Sequence, residues 1–178
     1  MKKIIYSFLA LGAIVFSSCS SDPCKDKSAT TLCSGKGVLV TNGSNCECSC
    51  NAGYTGTDCN TAIMPSLIKV WNNQTSSNNS PFTATTAIAA KGTSVSEIEI
   101  TDLGAGYKCT NGSTSSLVIT YGIIKSATKI MLDESAQCNY TFKGEGNLQA
   151  DGSWKFVYTV TYVKNGATVT DNNVTILK

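Results

Sequence analysis

The nine cysteines are the side chains best equipped for chemistry in this chain of 178 residues. Three of them, Cys48, Cys50 and Cys59, fall within the run CSCNAGYTGTDC, and Cys24, Cys33 and Cys46 lie just before it. Cys109 and Cys138 stand apart in the second half, and Cys19 near the start. Thiolates this close together can ligate zinc, a low-pKa thiol can act as a nucleophile or redox group, and paired sulfurs can cross-link a small fold. Deciding among these requires the elements that carry them and the compartment they reach.

Other chemistry is thinly represented. The chain has no His, and its 14 cations are all Lys, so it also lacks Arg. Without His there is no serine–histidine triad, no His-based zinc site and no ordinary general base near neutral pH. Paired carboxylates remain: Glu97 with Glu99, and Asp133 with Glu134. Glu97 and Glu99 alternate with Ile98 and Ile100 and are expected on a solvated strand face. Asp133 and Glu134, just before Ser135, are expected in a loop. Carboxylates do glycosidic chemistry only in a cleft that separates their pKa values, and neither setting provides one. The expectation is a non-enzymatic protein without a cofactor or bound metal.

The first segment, MKKIIYSFLALGAIVFSSC, places Lys2 and Lys3 before an apolar run from Ile4 to Phe16. Such a run is too short to span a bilayer but suits the core of a signal peptide. It ends in Ser17, Ser18 and Cys19, which resembles a bacterial lipobox, with Phe16 where the family usually has an aliphatic residue. The resemblance implies a signal peptide over 1–18 and a tether over 19–23 that begins at an acylated Cys19. Ser20 is similar to outer-membrane sorting in such lipoproteins. SSDP, with Asp22, resembles a reduced form of the acidic tag that follows the cysteine in Bacteroidota-type surface lipoproteins. Several acyl chains anchor a protein stably. Without Lys2 and Lys3 the cations number 12, equal to the 12 acids. A neutral chain lacking Arg has little electrostatic hold on a phosphate backbone, so nucleic acid is not an expected partner.

Export to an oxidising compartment favours disulfides over zinc. Setting Cys19 aside for lipid leaves an even set of eight cysteines, as a disulfide framework requires. Cys48-x-Cys50, then NAGYTGTD, then Cys59 resembles the end of an EGF-like module, and the resemblance covers roughly residues 22–60. Gly53 and Gly56 would take its positive-φ turn positions, and Tyr54 would cover its small core. Family pairing implies Cys24–Cys46, Cys33–Cys48 and Cys50–Cys59. Cys46 sits only two residues before Cys48, closer than the family's third and fourth cysteines usually are. Asp22 alone does not make the acidic and amide cluster of calcium-binding members, so no calcium is expected.

From residue 61 onward the pattern is period two, that of half-buried antiparallel strands. SEIEIT alternates Ile98 and Ile100 with acids. SLVITYGI sets Leu117, Ile119, Tyr121 and Ile123 on one face. CNYTFKG sets Cys138, Tyr140 and Phe142 on another. WKFVYTVTY does so most clearly, with Trp154, Phe156, Tyr158, Val160 and Tyr162 together. Asp151-Gly152 and Asn165-Gly166 fit two-residue hairpin loops. NNQTSSNNSP, residues 72–81, is expected to be a solvated loop or a contact surface. Six Asn-x-Ser/Thr sites (Asn42, Asn73, Asn78, Asn111, Asn139 and Asn173) fit a polar surface. The fold class is therefore all-β: a disulfide-rich EGF-like module over 24–60, then an antiparallel β-sandwich or small β-barrel over 61–178. Cys109 and Cys138 are expected to join neighbouring strands.

YTFKGEGNLQADGSWKFVYTVTYVKNG resembles the closing half of the calycin-like, lipocalin-like domain of Bacteroidota-type lipoproteins. Its Gly144-x-Gly146 strand leads through Asp151-Gly152 to an aromatic, threonine-rich strand. SEIEITDLG is similar to an earlier strand of that family. The resemblance implies architecture; it carries no shared activity. The row Trp154, Phe156, Tyr158 and Tyr162 is expected either to fill the core or to line an apolar ligand cavity, as in a carrier. Four residues separate Cys19 from Cys24, a tether of at most about 18 Å. The expected protein is an outer-membrane lipoprotein, surface-exposed, whose β-domain on an EGF-like stalk binds an extracellular protein or glycan. The alternatives are a carrier of a small hydrophobic molecule and, third, an extracellular hydrolase or inhibitor.

Overall fold

The computed structural model describes residues 22–178 apart from 79, 105 and 112. The expected signal peptide and Cys19 lie outside the described residues. Cross-linking organises the first part. One helical turn, α1 (Ala29–Leu32), precedes the hairpin β1 (Gly37–Asn42) and β2 (Asn45–Cys50), and then the short pair β3 (Tyr54–Thr55) and β4 (Thr61–Ala62). Three disulfides hold these pieces: Cys24–Cys46, Cys33–Cys48 and Cys50–Cys59. Cys33 and Cys59 are fully buried in a segment otherwise almost without core, so sulfur does the work that apolar side chains do in larger domains.

A second helical turn, α2 (Met64–Leu67), leads into the larger part, where Met64 and Leu67 are buried. The indole N–H of Trp71 donates to the Leu67 carbonyl at 3.0 Å, fixing the turn over the end of the β-domain. Ile63, Met64 and Leu67 belong to the same apolar cluster as the barrel core. The N-terminal segment also touches the barrel directly. Ile63 N–H donates to the Gly53 carbonyl at 2.9 Å, and a Cβ at Gly53 would overlap the Val95 carbonyl.

The β-domain is a closed antiparallel barrel of eight strands, which resolves the choice between sandwich and barrel. Its first strands are β5 (Val70–Ser77), β6 (Ser80–Ala90) and β7 (Glu97–Thr101). A small hairpin, β8 (Lys108–Asn111) and β9 (Thr114–Leu117), stands outside the barrel. The chain then continues through β10 (Ile119–Ser126), β11 (Lys129–Ala136), β12 (Thr141–Leu148), β13 (Trp154–Lys164) and β14 (Ala167–Leu177). Each strand pairs with its predecessor in the barrel, and β14 closes on β5. Closure leaves the barrel without a free edge.

Packing of β12 against β13 explains the Gly-x-Gly pattern. Gly144 lies opposite Tyr158 and Gly146 opposite Phe156. A Cβ at Gly146 would overlap the Phe156 ring, and one at Gly144 would overlap the Val157 carbonyl. The missing side chains make room for two aromatic ones. Asn165 (φ 53°) and Gly166 (φ 78°) form the expected two-residue turn between Lys164 and Ala167, a geometry that requires positive φ at both positions.

Several expectations are corrected. Residues 72–81 are not a loop: they form most of β5 and the start of β6, with Ser77 paired to Ser80. Asn73 and Thr75 face inward and are 2% exposed, for a reason given below. Along the segment leading into and through β10 the buried face is Val118, Thr120, Gly122 and Ile124, not Leu117, Ile119, Tyr121 and Ile123. Thr120 and Gly122 sit opposite Ile100 and Ile98 of β7, and cross-strand partners share a face, so the inward isoleucines set the phase. Asp133 and Glu134 lie in β11, where Glu134 pairs with Lys143 of β12 at 2.8 Å. The Asp151-Gly152 connection runs from Gln149 to Ser153, between Leu148 and Trp154, longer than a two-residue loop. Cys109 and Cys138 are bonded, but not between neighbouring strands: Cys109 is in β8 and Cys138 in the turn after β11.

Candidate functional site

Strand directions define two ends of the barrel. The near end receives α2 and the start of β5. The far end gathers the β5–β6 turn, the connection from β7 to β10, the β11–β12 turn and the β13–β14 turn. Of the described non-glycine residues with positive φ, Asn78, Asp102, Cys138, Asn139 and Asn165 all lie at this far end.

The far end is closed by a plug. After β7 the chain turns at Asp102 (φ 60°) and sends Leu103 into the barrel, where it is 1% exposed. The carbonyls of Asp102 and Leu103 thereby leave the strand ladder and need donors, since an unmet buried carbonyl is costly. The barrel wall supplies them. The Leu103 oxygen lies 3.0 Å from Tyr158 Oη, 3.0 Å from Thr175 Oγ1, 3.1 Å from Asn73 Nδ2 and 3.3 Å from Thr75 Oγ1. The Asp102 oxygen accepts from Thr86 Oγ1 at 3.0 Å and Asn73 Nδ2 at 3.1 Å. This is why a strand can carry the polar run NNQTSS, which alone looks like loop. Burial drives the Tyr158 phenol well above its usual pKa, so it remains a donor.

Above the plug sits a tyrosine cluster. The Tyr107 ring meets Tyr140 at 5.3 Å, Tyr162 at 5.9 Å and Phe142 at 5.9 Å, each edge-on. Tyr140 and Tyr162 face one another at 5.2 Å with 35° between planes. The Tyr107 hydroxyl donates to Asp171 Oδ2 at 2.8 Å, while Asn78 Nδ2 donates to Asp171 Oδ1 at 2.8 Å. Burial first, and then the neighbouring Asp171 carboxylate, push the Tyr107 phenol up to about 12 despite a hydrogen bond from Asn173. Phe82 adds an exposed ring, 46% accessible, beside Tyr107.

Two depressions open at the mouth, and Tyr107 borders the smaller. That one, of about 220 Å³, is also bordered by Phe82, Gly104 and Asp171. The other, of about 410 Å³, is bordered by Lys108, Thr110, Asn139, Tyr140 and Tyr162. The second combines flat apolar faces, amide and hydroxyl groups and one cation, which suits recognition of a polar ligand with an apolar face.

The sequence-derived candidates separate across the fold. Trp154, Phe156 and Tyr158 are at most 4% exposed and pack in the core, whereas Tyr162 reaches the mouth. Glu97 and Glu99 are half-buried, flanking fully buried Ile98 and Ile100. Asn73 and Asn173 point inward, unlike a surface glycosylation site. Among the described residues no cluster of acids, histidines or cysteines could hold a metal. Tyr107, Phe82 and Asp171 were not signalled by strand periodicity. The one local cue to Tyr107 is its place in GAGYKC, just after Gly106 and two residues before the disulfide cysteine Cys109.

No family model matches this chain, and no curated protein is significantly similar to it.

Proposed function

We propose that this protein is a non-enzymatic, lipid-anchored lipoprotein of the outer membrane that displays a β-barrel at the cell surface to bind an extracellular protein or glycan. The observation that carries the reading is the position of the tyrosine-rich mouth, at the end of the barrel opposite the N-terminal attachment. A tether at Cys19 would put the disulfide-rich segment next to the membrane and the mouth outward. Bonds from first to third, second to fourth and fifth to sixth cysteine support an EGF-like identity for that segment. An antiparallel barrel of eight strands in sequence order supports a calycin-like identity for the rest. The burial of Trp154, Phe156 and Tyr158 within the packed core favours a surface binder over a carrier.

Two experiments test this. Replacing Cys19 with Ala should move the protein from the membrane to the soluble fraction; continued membrane association would refute lipid anchoring. Protease applied to intact cells should remove the barrel while a periplasmic control survives. Protection until lysis would refute surface display and favour a periplasmic role.

A further inference from the structure

We propose that the larger depression at the far mouth binds an acidic sugar, a pyranose carrying a carboxylate such as a uronic acid at the end of a glycan. This deepens the display reading and rests on it. Three features of the depression each match one part of such a ligand. The first is the aromatic wall. Tyr140 and Tyr162 lie 5.2 Å apart with 35° between their planes, are both half-buried, and each makes a T-shaped contact with Tyr107. A pyranose presents a flat C–H face that stacks on such rings, and rings already held in place lose little entropy on binding. The second is the polar rim. Thr110 and Asn139 offer a hydroxyl and an amide, groups that exchange hydrogen bonds with ring hydroxyls. The third is charge. Lys108, exposed, is the one charged residue among the described residues that border this depression. The Asp171 carboxylate borders the smaller depression, where Tyr107 and Asn78 donate to it, and it also faces the Tyr162 hydroxyl.

The framework is built to hold these groups together. Lys108 and Thr110 flank Cys109, and Asn139 follows Cys138, so the Cys109–Cys138 bond places cation, hydroxyl and amide around one opening. Cys138 and Asn139 both adopt positive φ (60° and 66°), a conformation uncommon outside glycine and maintained by the surrounding structure. The volume, about 410 Å³, is in the range of small-ligand sites, roughly 300–1,000 Å³. A free phosphate would use Lys108 and leave the rings idle. A neutral sugar would use the rings and leave Lys108 unpaired.

The test uses the full-length lipidated protein in detergent, titrated with methyl glucuronide, methyl glucoside and an N-acetylated aspartyl dipeptide, with ligand-observed NMR as readout. Methyl glucuronide should bind about tenfold tighter than methyl glucoside, the effect of one hydrogen bond to a charged group. Lys108→Gln, a change at an exposed position, should erase that preference while leaving glucoside binding intact. Tyr162→Ala should weaken both sugars, with the near-UV spectrum checking that the barrel is folded. Equal binding of both sugars, absence of sugar binding, or dipeptide binding as tight as the glucuronide would each overturn the proposal. Protease treatment of cells carrying the same protein separates the two readings. A barrel cleaved from intact cells but blind to glucuronide refutes the ligand class alone, whereas a protected barrel refutes display.

Discussion

The Tyr107 hydroxyl donates to Oδ2 of Asp171 at 2.8 Å and thereby ties the chain just beyond the plug to β14, at the far end of the barrel. Asn173 Nδ2 approaches the same hydroxyl at 3.3 Å. The bond holds the plug and the tyrosine cluster in one arrangement, and every feature of the candidate site depends on that arrangement.

Tyr107→Phe keeps the ring contacts with Tyr140, Phe142 and Tyr162 and removes only the hydroxyl. The expected loss is about 1.5–3 kcal/mol, that of a hydrogen bond to a charged group. Urea unfolding should show a lower midpoint with an unchanged slope. A midpoint equal to the parent's would mean that the hydroxyl does not secure the plug.

The glycines of β12 and β10 should rank by what their added methyl meets. Gly144→Ala meets the Val157 carbonyl, Gly146→Ala the Phe156 ring, and Gly122→Ala the Ile130 and Ile98 side-chain carbons at 3.0 and 3.1 Å. Overpacking costs typically 1–3 kcal/mol, most where backbone cannot yield. The predicted order of destabilisation is Gly144, then Gly146, then Gly122. Thermal denaturation of the three variants would reveal a different order if the rings did not lie over the glycines.

Asp102 gives a pH-dependent prediction. Burial raises its pKa, and the Gly106 N–H and the charge of Lys108 only partly oppose this. A carboxyl with a raised folded pKa binds its proton more tightly in the native state. Its contribution to stability is therefore greatest below the unfolded pKa and is lost as pH rises through the folded value. Asp102→Asn keeps an oxygen for the Gly106 N–H, which Asp102 Oδ1 accepts at 2.8 Å, and suits the positive φ. The variant should be more stable than the parent at pH 7, and the difference should shrink as pH falls through the acid's titration. A difference independent of pH would show that charge at Asp102 is not its source.

Breaking the far-end bridge should loosen the mouth more than the barrel. With Cys109 and Cys138 both replaced by Ser, loop entropy predicts a loss of roughly 3–4 kcal/mol. Hydrogen exchange should quicken across β8, β9 and the turn at Cys138, while β13 and β14 remain the slowest. Uniform acceleration across all strands would show that the bridge supports the whole barrel instead.

The outcome for individual residues shows how far local chemistry reaches. Asn165-Gly166 announced its turn because positive φ at two successive positions is a property of those residues alone. The alternation from Trp154 to Val160 announced a half-buried strand for the same reason. Asn73 and Thr75 misled because their polarity answers the carbonyls of Asp102 and Leu103, distant in sequence. Val118, Thr120, Gly122 and Ile124 were hidden because either phase of that strand offers apolar residues, and only pairing with Ile98 and Ile100 selects one. The mouth could not be read at all from spacing, since Tyr107 and Asp171 are 64 residues apart.

By itself the sequence determined the all-β class, an even framework of cysteines, the cramped Gly-x-Gly strand and the absence of histidine and arginine chemistry. These follow from residue type and from patterns spanning a few positions. Tertiary structure alone decided that the sheet closes, that Cys109 and Cys138 meet between an outlying hairpin and the β11–β12 turn rather than between neighbouring strands, and where an aromatic and polar mouth opens. Closure brings β14 back to β5, so Thr75 meets Thr175 at 2.6 Å across 100 residues. Such contacts are set by global strand order and the filling of one shared interior, which no local periodicity encodes.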